Sequence, residues 1–195
     1  MRVKRIVSWL FVALIVGEVL LVLVSWLLSA TMKGGVRSLL SSEGVRWFFG
    51  SFTDMVASPW LVWLLVVAMA GGCLWRSGLL HRSQSGYRER MAFRTALAFL
   101  VLYVGVILML TVVPHAVLLS ATGQLFPSPF SRALVPILSF GLLLLSTVYG
   151  WASGRFTTFS DVIDSMAYGI SQVAPLFVLY ILLVQFCDSL RFVFL

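Results

Sequence analysis

Long runs of apolar residues, separated by short polar or charged stretches, make up most of this sequence. A helix needs about 20 apolar residues to cross the roughly 30 Å hydrocarbon core of a bilayer. Five runs reach or approach that length, at 6–29, 59–75, 95–113, 133–152 and 162–186. The pattern therefore predicts an all-α integral membrane helix bundle with about five transmembrane helices, folded as a single transmembrane domain over residues 1–195.

The first run is expected to be a retained transmembrane helix. A cleavable signal has an apolar core of about 7 to 15 residues, which is shorter than this run. Trp9 and Trp26 lie 17 residues apart, about 26 Å along a helix. This spacing places the two indoles near opposite headgroup levels, where tryptophan is enriched.

The segments between the runs differ in character. Residues 36–50 mix apolar and charged side chains, which predicts an amphipathic helix in the membrane interface. Residues 114–131 contain three prolines and one glycine, so a loop or short re-entrant piece is expected there. Residues 76–94 form an arginine-rich segment that we interpret as a basic loop. Its positive charge would set the topology, and contact with anionic lipid is the alternative.

Two helix starts carry capping signals. Ser58 followed by Pro59 fits an N-cap and a first helical position. Thr158 and Asp161 have the spacing of a capping box. Asp161 and Asp164 both fall in the first turn of the fifth helix, where the helix dipole favours negative charge. Capping is the preferred interpretation of both carboxylates.

The composition excludes a soluble globule. Hydrophobic residues make up 61% of the chain and charged residues 11%, against about 25% charged residues in an ordinary soluble domain. The net charge of +7 would suggest a nucleic-acid partner in a soluble protein. Here the cations flank apolar runs, so no nucleic-acid partner is expected and the lipid bilayer is the predicted partner.

The distribution of Lys and Arg predicts the orientation. If the N-terminus lies in the cytoplasm, nine of the 14 basic residues are on the inner side and five on the outer side. The inner nine are Arg2, Lys4, Arg5, Arg76, Arg82, Arg88, Arg90, Arg94 and Arg155. The positive-inside rule therefore predicts a multi-pass membrane protein with a cytoplasmic N-terminus.

Glu18 is the most unusual polar residue, because it sits in the middle of the first run. A charged group there costs from a few to over ten kcal/mol, so Glu18 requires a partner or a proton. One interpretation is a proton-coupling carboxylate that faces a cavity. The preferred one is a protonated or hydrogen-bonded side chain inside the bundle or at a subunit contact, because the runs at 59–75, 95–113 and 133–152 contain no second carboxylate or histidine.

The fifth run contains Asp164, Gln172 and Pro175, so its helix is expected to be broken or tilted. Gln172 and Pro175 could line a polar cavity, since a proline frees a backbone carbonyl. A kink that binds nothing is the commoner outcome. Glu18, Gln172, Asp164 and Pro175 are the transport candidates.

The remaining residues indicate packing more than chemistry. Ala68 and Gly72 form a small-x-x-x-small face suited to close helix packing, within the chain or between subunits. Cys73 and Cys187 are expected to be buried thiols, because no disulfide framework or metal-ligand spacing accompanies them. His115 is expected at the interface. No catalytic motif, metal site or cofactor site is indicated, so the protein is not expected to be an enzyme.

Two stretches resemble the p-aminobenzoyl-glutamate transporter (AbgT) family. The first runs from Ser42 to Thr53, with sequence SEGVRWFFGSFT, and continues through Pro59 to the helix that ends WRSGLL. The second follows the family's central region in order and spacing, through Phe130-Ser131, Val135-Pro136-Ile137, Val148-Tyr149-Gly150, Ser153-Gly154-Arg155, Asp161-Val162, Met166 and Gln185-Phe186. Where the family usually has Asn-Phe-Thr-Gly, this chain has Ser51-Phe52-Thr53-Asp54.

The resemblance implies a shortened or divergent member that keeps framework helices and lacks the family's substrate-binding hairpins. It implies transport, with a small aromatic or amphipathic anion such as a p-aminobenzoyl-glutamate-like compound, or a drug, as the solute. The missing hairpins leave a second hypothesis open: a non-transporting membrane scaffold, an accessory subunit, or one part of a split transporter. A homo-oligomer and a partner membrane subunit both stay open, as does a remnant with little function.

Overall fold

The computed structural model describes residues 2–31, 35–81, 86–112 and 129–195. Six α-helices and one short 3-10 helix account for most of these residues, and no strand occurs among them. The helices are α1 (Arg2–Thr31), α2 (Ser42–Val56), α3 (Pro59–Ser77), α4 (Tyr87–Val112), α5 (Pro129–Ser153) and α6 (Phe159–Phe194), with the 3-10 helix at Leu79–His81. All of the α-helices except α2 are long and apolar enough to cross a membrane. The predicted all-α fold with five transmembrane helices is confirmed.

The helices extend beyond the apolar runs at several ends. α4 begins at Tyr87, so Arg88, Arg90 and Arg94 lie on its first turns and not in a loop. The Gly86 carbonyl accepts the Arg90 N–H at 3.1 Å and closes the first turn. An apolar count misses such turns, because arginine can stay helical while its long stem carries the charge away from the hydrocarbon.

The last helix is continuous where the sequence suggested an interruption. α6 passes through Asp164, Gln172 and Pro175 without a break. Its 36 residues extend about 54 Å at 1.5 Å per residue, well beyond the hydrocarbon thickness. Proline removes one backbone hydrogen bond, and the neighbouring turns of this long helix continue on both sides of it.

The amphipathic helix lies later in the sequence than the predicted range 36–50. α2 begins at Ser42, because the Ser41 side chain accepts the Gly44 N–H at 3.0 Å and caps the helix. The preceding residues are non-helical, and the Arg37 N–H donates to the Val193 carbonyl at 3.1 Å. Gly44 permits this compact start, since an added Cβ would lie 2.6 Å from the Leu39 carbonyl oxygen.

The described residues divide into two compact units, Met1–Val62 with Ala174–Leu195 and Trp63–Val173. We refer to them as the first unit and the second unit. The prediction of a single transmembrane domain stays a prediction.

The core of the first unit joins α1, the segment before α2 and the end of α6. Its buried residues are Leu21, Leu39, Phe192 and Val193. Trp47 of α2 stacks on Phe192 with ring centroids 4.4 Å apart. This packing attaches the amphipathic helix to the end of α6.

The second unit has two buried clusters. One contains Cys73, Phe156 and Val162, and the other contains Ala92, Ala96 and Tyr149. The alanines allow α4 to approach α5 closely. Through these two clusters, α3, α4, α5 and the start of α6 pack together in the second unit.

The start of α6 is capped as the sequence predicted. The Asp161 carboxylate accepts the N–H groups of Thr157 and Thr158 at 2.7 and 2.9 Å. The Thr158 hydroxyl accepts the Asp161 N–H at 3.3 Å. This reciprocal arrangement confirms the capping box.

Candidate functional site

A groove between α3 and α6 in the second unit has a volume of about 430 Å³. We call it the α3–α6 groove. Its lining is mostly apolar and consists of Leu64, Val67, Ala68, Gly71, Gly72, Trp75, Tyr168, Gly169, Gln172 and Val173.

The groove exists because small residues bring the two helices together. A Cβ added at Gly169 would clash with the Ala68 carbonyl oxygen, and one added at Gly72 would clash with the Ser165 carbonyl oxygen. Ala68 and Gly72 therefore lie where α3 contacts α6 inside this unit. Close backbone approach of this kind is what small-residue faces provide in membrane helices.

Aromatic and polar groups form the edge of the groove. Gln172 contributes an amide. The Arg76 guanidinium carbon lies 5.9 Å from the centroid of the Tyr168 ring, within the range of a cation–π contact. Arg76 itself is not a lining residue. The apolar walls, two aromatic side chains and an amide, with the guanidinium next to Tyr168, suit a ligand with a flat apolar part and a negative charge.

Glu18 lies in the first unit and has a hydrogen-bonding partner. The Ser189 hydroxyl donates to Glu18 Oε1 at 2.6 Å, and Gln185 Nε2 donates to Ser189 Oγ at 3.2 Å. Ser189 and Gln185 are both buried. We call Glu18, Ser189 and Gln185 the Glu18 cluster. It joins α1 to the last turns of α6.

Asp164 and Pro175 lie neither in the α3–α6 groove nor in a buried polar cluster. Both are exposed on α6, and neither lines the α3–α6 groove. Among the described residues, the Asp164 carboxylate makes no hydrogen bond or ion pair. The capping interpretation therefore applies to Asp161 and not to Asp164, because only Asp161 lies close enough to the free N–H groups before the helix.

The cysteines differ from one another. Cys73 is buried as expected, with its sulfur 3.8 Å from the Val162 carbonyl oxygen. Cys187 is exposed, so its expected burial is wrong. An apolar stretch places a thiol in the membrane but does not say whether it faces the protein or the lipid. Within the described ranges, no group of three or more His, Cys, Asp or Glu side chains could hold a metal ion.

His115 and residues 114–128 of the predicted loop lie outside the described residues. The last three residues of that range begin α5 at Pro129, so the loop prediction is wrong there. Sequence reasoning also missed Ser189, Gln185 and the groove residues Tyr168 and Gly169. The sequence does contain a signal for Ser189 and Gln185. Gln185 and Ser189 are polar residues four positions apart at the end of the fifth apolar run and just beyond it, which places them on one helix face.

The five long apolar helices make this a multi-pass membrane protein whose helices contact the lipid bilayer. Comparison with protein families adds that residues 81–193 match the AbgT putative transporter family. This chain belongs to that family. The match contains the second of the two resembling stretches, whereas the first, at 42–80, lies outside it.

No curated protein and no solved structure matches the chain. Family membership assigns the protein to membrane transport at the level of the family. A transporter family also favours a role other than catalysis.

Proposed function

We propose that this protein takes part in moving a small aromatic or amphipathic anion, of the p-aminobenzoyl-glutamate type, across the membrane. The α3–α6 groove is the binding place in this proposal. The observation that carries it is the pairing of an apolar groove of about 430 Å³ with the Arg76 guanidinium at Tyr168.

The chemistry of the groove favours this class of solute over a purely polar one. Burying an aromatic ring against the groove walls gains about 25 cal/mol per Å² of apolar surface. An anion that leaves water needs a compensating charge or hydrogen bonds. Arg76 supplies the charge and Gln172 supplies an amide N–H.

A second candidate is a non-transporting scaffold, an accessory subunit or one part of a split transporter. It is favoured by Gly71, which lines the groove and faces open space, since an added Cβ would meet nothing within 4 Å. A helix of a second copy or of a partner subunit could pack there. In that case the groove is a docking surface and binds no solute.

Reconstitution of the pure protein into liposomes tests the two candidates. With an ion gradient imposed, we expect uptake or efflux of radiolabelled p-aminobenzoyl-glutamate well above that of protein-free vesicles. A neutral aromatic solute of similar size is the control and should not be moved. Absence of flux for the anion, together with a partner recovered by crosslinking in native membranes, would support the second candidate.

We also propose that the protein lies in a bacterial inner membrane with its N-terminus in the cytoplasm. The nine-to-five division of basic residues supports this orientation. Five crossings then place Leu195 on the outer side. A protease-sensitive tag fused after Leu195 should be cleaved in spheroplasts, whereas the same tag before Met1 should be protected. The reverse pattern would show the opposite orientation.

A further inference from the structure

The Glu18 cluster brings a carboxyl, a hydroxyl and an amide together between two apolar helices. Glu18 lies near the middle of α1 (Arg2–Thr31). The Ser189 hydroxyl donates to Glu18 Oε1 at 2.6 Å and receives a hydrogen bond from Gln185 Nε2 at 3.2 Å. The hydrogen bonds therefore run in one direction, from the amide through the hydroxyl to the carboxyl group.

This chain of hydrogen bonds leaves two oxygens unused. Glu18 Oε2 and Gln185 Oε1 are buried, and neither has a hydrogen-bond partner among the described residues. Gln185 is 7% exposed and Ser189 is fully buried. Two unpaired acceptors in a buried cluster are costly, and a proton added to Glu18 Oε2 would turn one of them into a donor.

We propose that Glu18 is a reversible proton-binding site, in which Ser189 stabilises the ionised carboxylate and Gln185 Oε1 accepts the proton of the neutral acid. Uptake forms an O–H bond at Glu18 Oε2 and breaks one in hydronium, which leaves as water. The charge of the carboxyl group changes from −1 to 0. Oε2 then changes from an unpaired acceptor to a donor, and release reverses each step.

The hydrogen-bond directions favour a proton over a metal cation. A sodium ion would require several oxygen ligands turned towards it. Gln185 instead directs an N–H group at Ser189, and the Ser189 proton points to Glu18. This leaves only Glu18 Oε2 and Gln185 Oε1 without a partner in the cluster, which is fewer oxygens than a sodium ion requires, whereas a proton needs only Oε2.

Neighbouring charged groups do not neutralise Glu18. On α6, Asp188 and Arg191 pair with each other at 3.4 Å. On the segment before α2, Arg37 lies over the Phe192 ring at 5.8 Å. On α1, the nearest described cation in the sequence is Arg5. None of these groups forms a hydrogen bond or ion pair with Glu18 in the described structure. The charge of Glu18 therefore changes only when its carboxyl group gains or loses a proton, and Ser189 is the group that stabilises the charged form. The inference goes beyond the proposed function, since it holds whether or not a solute is moved.

Infrared difference spectroscopy of the full chain in lipid nanodiscs tests the proposal. As the pH is lowered from mildly alkaline to mildly acidic, we expect the C=O band of a buried protonated carboxyl group to appear. It should be absent in Glu18→Gln and kept in Glu43→Gln, whose carboxylate is exposed on α2. In Ser189→Ala the band should appear at a pH higher by about one unit, because a hydrogen bond to the charged form is lost.

Three results would overturn the proposal. A band that persists in Glu18→Gln would belong to another group. A band that is present at every pH would show a permanently protonated, structural carboxyl group. A Ser189→Ala midpoint that is unchanged, or that moves to lower pH, would show that Ser189 does not stabilise the ionised form. Ser189→Ala keeps the carboxyl group, so it serves as the test if Glu18→Gln fails to fold.

Discussion

Replacing Gly169 by alanine is expected to destabilise the protein by about 3 kcal/mol, the upper end of the usual cost of overpacking. The added Cβ would clash with the Ala68 carbonyl oxygen and would lie 2.8 Å from the Gly72 Cα. Both are backbone atoms, so relief requires α3 and α6 to separate. Thermal unfolding in detergent, followed by tryptophan fluorescence, measures the loss.

Gly71→Ala is the matched control. It adds the same methyl group to a helix in the same groove, but nothing lies within 4 Å of the new Cβ. Its effect should be small or slightly stabilising, because alanine is favoured over glycine in a helix by about 0.5–1 kcal/mol. Equal losses in the two variants would contradict a close contact between α3 and α6 at Gly169.

The second large effect is expected in transport. Arg76→Gln should reduce the flux of an aromatic anion at subsaturating concentration by about tenfold, which corresponds to about 1.4 kcal/mol of lost binding. The variant keeps a polar side chain but removes the positive charge beside Tyr168. The measurement is the initial rate of radiolabelled anion uptake into liposomes, with the amount of inserted protein held equal.

Arg94→Gln controls for the change in net charge. Arg94 is an exposed arginine on α4 and lies outside the α3–α6 groove. Its flux should remain close to that of the unmodified protein. A tenfold loss in both variants would indicate a general effect of charge on topology or insertion, and an unchanged rate in Arg76→Gln would remove Arg76 from the proposed site.

The polar parts of the helices were harder to predict than the apolar parts. The apolar run at 95–113 located α4 but missed its start at Tyr87, because the first turns carry three arginines. The range 36–50 located the amphipathic segment but not its N-cap at Ser41. The residues before this cap are non-helical and include Arg37, whose N–H donates to the Val193 carbonyl, a partner far away in the sequence.

The candidate site is also predictable from the sequence only in part. Glu18 stands out in the sequence because a carboxyl group in an apolar run needs a partner or a proton, and the preferred interpretation is a protonated or hydrogen-bonded side chain. Ser189 is 171 positions away, so nothing local to Glu18 identifies it. Ala68 and Gly72 were recognisable as a packing face, but Gly169 was needed to show what that face contacts.

The sequence by itself determined the membrane environment, the number of apolar helices and the family resemblance, because these depend on composition and on order along the chain. Only the tertiary structure decided which faces of those helices meet. Hydrophobic patterning specifies little of this inside a bilayer, since lipid and protein interiors are similarly apolar. The groove at Gly72 and Gly169 and the pairing of Glu18 with Ser189 depend instead on backbone clearance and on individual hydrogen bonds.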